Sequence, residues 1–190
     1  MKLGTLIIRL LLLAFCAYLF LALLKRNDPM QPNAPMPFLL AAVSWVDLFI
    51  HEGGHFIFSI FGRFLYILGG SLVQILIPLA AAVVLFRSAV HAVPFAIFWL
   101  GENLVNVSVY VRDATRMKLR LISTSATHDW NYILGQVKLL GSTDSIANVV
   151  FYLGLFLCST AIVYGTLQSI RMYRAHITAK QSPVHTAFPE

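Results

Sequence analysis

Residues 51–55 read His-Glu-Gly-Gly-His. Two histidines four apart on a helix stand one turn apart on one face, so both imidazoles can close on a single ion. Glu52, between them, is placed to take a proton from a metal-activated water instead of binding the metal. His51 and His55 are therefore candidate zinc ligands, and Glu52 is the candidate catalytic base. From the chain's own His and Glu frequencies, chance produces such a pentad on the order of 0.003 times per chain. Gly53 and Gly54 permit close helix packing in lipid, and equally the approach of a substrate backbone. Asp47, one turn earlier on the same face, is placed to accept the second ring proton of His51, or to make a polar contact to another helix.

The elements that carry these residues are set by composition. Of 190 residues, 58% are hydrophobic and 12% charged, and the mean hydropathy is +0.77. A water-soluble domain carries about twice that charge. This excludes a disordered chain, a collagen-like chain and an ordinary cytosolic enzyme, and it points to an integral membrane protein in a lipid bilayer. The net charge of +6 does not argue for nucleic acid, because the basic residues stand singly at the ends of apolar runs. Cys16 and Cys158 both lie inside such runs and read as small apolar residues.

Five runs approach the roughly 20 residues that a helix needs to cross the hydrocarbon core. They are 5–24, 38–61, 65–86, 89–111 and 147–168. Five crossings in succession would put the two ends of the chain on opposite sides. Residues 25–37 hold four prolines and read as an extended loop, and the tail after Gln168 is polar and expected to fray. In the long connection 112–146, Trp130, Ile133, Leu134, Val137 and Leu140 recur at helical spacing before Gly141. This predicts one short amphipathic helix at the membrane surface. The expected fold is all-α, a polytopic membrane protein. It divides into an N-terminal helix and loop (1–37), a core of three spans plus the interfacial helix (38–146), and a C-terminal span with its tail (147–190).

Ionisable groups in a bilayer are costly, so their default reading is functional. Here they concentrate in two spans: Asp47, His51, Glu52 and His55 in the second, His91 and Glu102 in the fourth, the latter with Asn103 and Asn106. Glu102 and Asn106 share a face and reach the depth of the histidine pair, so both are candidates for a polar cavity that contacts substrate, or for a buried interhelical pair. A catalytic zinc site needs a third protein ligand. His128 and Asp129, just before the interfacial helix, are the first candidates, with Asp129 alternatively an N-cap. Asp113 and Glu102 follow.

The stretches Asp47 to His55, Gly62 to Pro78, Gly101 to Ala114 and His128 to Leu134, taken in order, resemble the site-2 protease family of intramembrane zinc metalloproteases, closest to a small bacterial subgroup with HEGGH. The resemblance covers roughly residues 38–140. It implies zinc held by His51 and His55, Glu52 as base, an aspartate after a later span as third ligand, and a peptide or membrane-protein substrate cut within the membrane of a bacterial cell, the site opening to the cytoplasm. The expected activity is that of a multi-pass zinc metallopeptidase. The other readings are a zinc hydrolase of lipid amides or esters, and a non-enzymatic protein with a structural or vestigial metal site.

Overall fold

The structure is a computed structural model, and it describes residues 3–25, 36–119 and 128–181. Six helices make up its regular structure: α1 (Leu3–Leu24), α2 (Phe38–Phe58), α3 (Arg63–Ser88), α4 (Val93–Asp113), α5 (Asp129–Gln136) and α6 (Thr143–Gln181). There is no strand among the described residues. Four of the six, α1, α3, α4 and α6, are long and apolar enough to cross a membrane.

α2 is not one of the four. Its 21 residues suffice in length, but Asp47, His51, Glu52 and His55 interrupt the apolar run. The polar residues are not scattered. Leu40, Asp47, His51 and Gly54 form its buried stripe, while Trp45, Phe49 and Phe56 face outward at 62%, 74% and 81% exposure. This is the inverse of a soluble amphipathic helix: apolar rings outside, polar groups packed against other helices.

Two antiparallel pairings set the bundle. α4 lies along α6, with Gly101 on Gly154 at the crossing and Arg112 Nη2 donating to Asn148 Oδ1 at 2.7 Å. α1 also lies along α6. Leu13 meets Gly165, and Cys16, Leu19 and Leu23 share an apolar core with Phe151, Cys158 and Ala161. Arg9 is only 5% exposed. It donates to Ser169 Oγ (3.0 Å), Gln168 Oε1 (2.9 Å) and the His91 carbonyl (2.6 Å), so three neutral acceptors satisfy a guanidinium inside the bundle.

These contacts correct the expected topology. α1 runs in the same direction as α4, and its first turns lie beside the α3–α4 turn, at the end toward which α6 runs. Both described ends of the chain therefore sit at one end of the bundle, not at opposite ends. α2 runs in the same direction as α4, Asp47 meeting Trp99 and, further on, His51 meeting Tyr110. Of the five apolar runs, four form helices long and apolar enough to cross a membrane, and α2 packs among them.

Boundaries differ in physical detail too. α2 tightens into a 3-10 turn at Ser59–Phe61, and Gly62, at φ 85°, makes the left-handed step into α3 that a side chain would oppose. The tail expected to fray after Gln168 continues α6 to Gln181, 39 residues in all. The interfacial helix stops at Gln136. It does not run on toward Gly141, because Lys138 adopts φ 59° and Val137 is left 47% exposed.

Candidate metal centre

The centre grows from the crossing of α2 and α3. A Cβ on Gly54 would collide with the Gly69 carbonyl, and a Cβ on Gly69 would stand 2.7 Å from Phe58 Cβ. Only glycine permits this approach, which brings the backbone of α3 under the histidine face of α2. Gly70 then lies directly beneath both rings. A Cβ there would stand 2.6 Å from His51 Nε2 and 2.7 Å from His55 Nε2. The space between the two nitrogens is kept clear by the absence of a side chain. Gly53 has nothing within 4 Å of such a Cβ, so of the two adjacent glycines only Gly54 serves packing.

Each imidazole has one nitrogen occupied. His51 Nδ1 is 3.1 Å from Gln74 Oε1, and His55 Nδ1 is 2.8 Å from the Tyr66 carbonyl. Both partners are acceptors, so both Nδ1 atoms carry the proton and both Nε2 lone pairs point into the gap. There they meet a single oxygen. Asp129 Oδ2 is 3.0 Å from His51 Nε2 and 3.2 Å from His55 Nε2. Two nitrogen lone pairs and a carboxylate oxygen converging at this spacing repel unless a cation or protons lie between them. Ligands of a tetrahedral ion with bonds of 2.0–2.1 Å are about 3.3 Å apart, close to the distance from each histidine nitrogen to the carboxylate oxygen. Side-chain exposures of 4%, 12% and 17% for His51, His55 and Asp129 leave the opening on the His55–Asp129 side. Glu52 is exposed beside it, with a carboxylate oxygen within 4.8 Å of ring nitrogens of both histidines.

Asp129 is held there by the docking of α5 on α3 and on the end of α4. Asn131 Nδ2 donates to the Ala114 carbonyl at 2.7 Å, and Trp130 Nε1 to Ser71 Oγ at 3.1 Å. The Arg63 guanidinium stacks over Tyr132 at 4.9 Å. Burial alone would raise the Asp129 carboxyl, but with protons in the gap in place of a cation the hydrogen bonds that it accepts from the two histidines outweigh that and hold it below the ordinary carboxylate range. It is anionic, the state a metal ligand requires.

Of the three residues expected to offer a third ligand, only Asp129 reaches the histidine pair. His128 occupies the N-cap position and turns to Asp113, with Nδ1 3.1 Å from Asp113 Oδ2. Asp113 in turn accepts the amides of Lys118 (2.8 Å) and Leu119 (3.2 Å), which closes the chain after α4. His128 and Asp113 pin the start of α5 and leave the ligand position to Asp129, which is the first residue of the helix and not its cap.

Nor does Asp47 orient His51. Its Oδ1 accepts from Trp99 Nε1 at 3.2 Å, and it meets Glu102 and Asn103 deeper in the bundle. The partner of His51 is Gln74, 1% exposed, whose own Nε2 donates to Asn106 Oδ1 at 3.1 Å. Asn106 therefore sits behind the centre, fixing which end of the Gln74 amide faces the histidine. Tyr110 stacks on His51 with centroids 5.4 Å apart and 15° between planes. Gln74, Gly70 and Tyr110 were not singled out from the sequence. The available signal was a neutral amide one turn beyond a Gly-Gly pair in an otherwise apolar run. No family model, curated protein or solved structure matches this chain.

Proposed function

We propose that this chain is a multi-pass membrane zinc metallopeptidase that hydrolyses peptide bonds at a site recessed in its helical bundle. The observation that carries the reading is the convergence of His51 Nε2, His55 Nε2 and Asp129 Oδ2 over the side-chain-free Gly70, with Glu52 alongside. Two nitrogens and one carboxylate oxygen suit zinc, and three protein ligands leave the open position that separates a catalytic from a structural site. Zinc held by these residues supplies Lewis acidity toward a peptide carbonyl and makes water acidic near pH 7. Glu52 takes the proton of the attacking water and delivers it to the leaving amine. Gln74 and the Tyr66 carbonyl hold each imidazole in the tautomer that leaves Nε2 free, and Asp129 adds the anionic ligand. The same residue set supports kinship with the site-2 protease family.

The described basic residues lend support to one orientation. Arg63, Arg112, Arg116, Lys118 and Lys138 stand on the segments that flank the centre; Arg87, Arg171, Arg174 and Lys180 stand on the opposite side. The excess supports a centre facing the cytoplasm, in a bacterial cytoplasmic membrane on the family reading.

The test is the purified chain in lipid nanodiscs, assayed for bound zinc and for cleavage of a peptide library, with acyl amides and esters in parallel. Glu52→Gln should lower peptide cleavage by about 10²–10⁴-fold with zinc retained. Full activity in that variant, no stoichiometric zinc in the parent, or turnover of acyl substrates alone would each defeat the proposal.

A further inference from the structure

One face of α3 leads from the histidine pair to the surface. Arg63, Tyr66 and Gly70 recur at the spacing of successive turns, so the three stand in a row. Gly70 is the floor beneath the two ring nitrogens. Tyr66 tilts against His55, with centroids 5.2 Å apart, and its carbonyl holds His55 Nδ1. Arg63, the first residue of the helix, is exposed at the outer end of the row. Its guanidinium lies 4.9 Å from the centroid of the Tyr132 ring, and Tyr132 is one turn after Asp129 on α5. Arg63 is thus one turn from the residue packed on His55, and it touches the residue one turn from Asp129. Both relations put it on the His55–Asp129 side, where the centre opens.

This arginine differs from its neighbours. Arg112 and Arg116 are turned to Asp144, at 3.6 and 3.1 Å. Among the described residues no ion pair involves Arg63. A guanidinium lying over an aromatic ring is held by its face, and its N–H groups point outward in its own plane. The edge that grips a carboxylate through two parallel hydrogen bonds is therefore free, and the ring fixes where it stands. The reach matches an extended chain. From Gly70 to Arg63 the axis of α3 rises about 10 Å, and three residues of an extended peptide cover about the same length.

We propose, resting on the metallopeptidase reading of the centre, that Arg63 is a specificity-determining residue. It binds a substrate carboxylate about three residues from the scissile bond, so the preferred substrates are acidic peptides. An aspartate or glutamate side chain and a chain terminus present the same pair of oxygens to it. Tyr132 positions the guanidinium and does not itself meet the carboxylate.

The experiment uses the full chain in nanodiscs of zwitterionic lipid. Fluorescent peptides carry Asp, Asn or Lys at successive positions on either side of a fixed core, each with a free or an amidated C-terminus. Binding is read by anisotropy on Glu52→Gln, which holds peptide without cutting it, and kcat/KM is read on the parent. We expect the Asp peptide to be favoured over its Asn twin by about tenfold in both measurements, at one position only. The preference should vanish when Arg63→Gln is introduced, and Arg63→Glu should turn it toward the Lys peptide. Tyr132→Leu, which keeps the charge and removes the ring, should weaken the preference without abolishing it, and it carries the test if the Arg63 variants do not fold. A preference that depends on a free C-terminus assigns the seat to the terminal carboxylate; one indifferent to the terminus assigns it to a side chain. Equal binding of the Asp and Asn twins, no binding of either, or a preference that survives Arg63→Gln overturns the proposal. So does an Arg63-dependent affinity for vesicles of anionic lipid with no effect on peptide choice, because the arginine would then be a headgroup anchor. Charge-dependent binding with no cleavage by the parent defeats the peptidase reading and leaves the acidic-peptide seat in place, whereas cleavage without charge preference does the reverse.

Discussion

At the crossing of α2 and α3, Gly54, Gly69 and Gly70 bring two backbones together; at the crossing of α4 and α6, Gly101 and Gly154 do the same. Both are small-residue contacts of the kind that lets helices associate in lipid. What surrounds them differs. A Cβ on Gly154 would meet the Gly101 carbonyl and Val105, and one on Gly101 would meet Cys158, all within the sealed apolar core. A Cβ on Gly70 would meet two ring nitrogens instead. Removing a side chain beside apolar neighbours yields tight packing. Removing it beside two inward-turned imidazoles leaves their nitrogens unobstructed. The first crossing is therefore expected to carry stability alone, and the second to carry binding as well.

Substitutions at matched positions test that division. Gly70→Val fills the gap and should lose zinc by more than the roughly 100-fold that an outer contact to a ligand is worth, with helix content unchanged by circular dichroism. Gln74→Leu removes the acceptor on His51 and should weaken zinc by about 10–100-fold, whereas Gln74→Glu keeps an acceptor and should restore most of it. Both are read by competition with a zinc chelator of known affinity. Gly154→Ala should destabilise the bundle by about 1–3 kcal/mol in denaturant unfolding, while the folded fraction still binds zinc one to one. If Gly154→Ala empties the centre of folded molecules, the two crossings are not independent. Gly53→Ala meets open space and should change either quantity by less than about 0.5 kcal/mol, in contrast to its neighbour Gly54.

How far the sequence reaches into this structure depends on the kind of information each feature needs. His51, Glu52 and His55 are legible because their relation is local, one helical turn. Asp129 was within reach because few side chains lie near the opening, but choosing it over His128 required knowing that α5 begins at Asp129 and that Asp113 claims His128. Gln74 stayed hidden because a single neutral amide costs too little in an apolar run to mark it as functional. That both described ends share one end of the bundle is illegible for a different reason: it rests on the partners that Arg9 finds on α6, 160 residues away at Ser169, and no count of apolar runs contains them.

The distance along the chain between the two halves of the centre has a consequence for biosynthesis. His51 and Asp129 are separated by 78 positions, and α3, α4 and the connection to α5 must all emerge from the ribosome between them. While those segments are being inserted, the newly made protein carries a histidine pair without its anionic partner. On the zinc reading proposed above, a copy made only as far as α4 lacks the full ligand set, and loading with metal waits until α5 has docked.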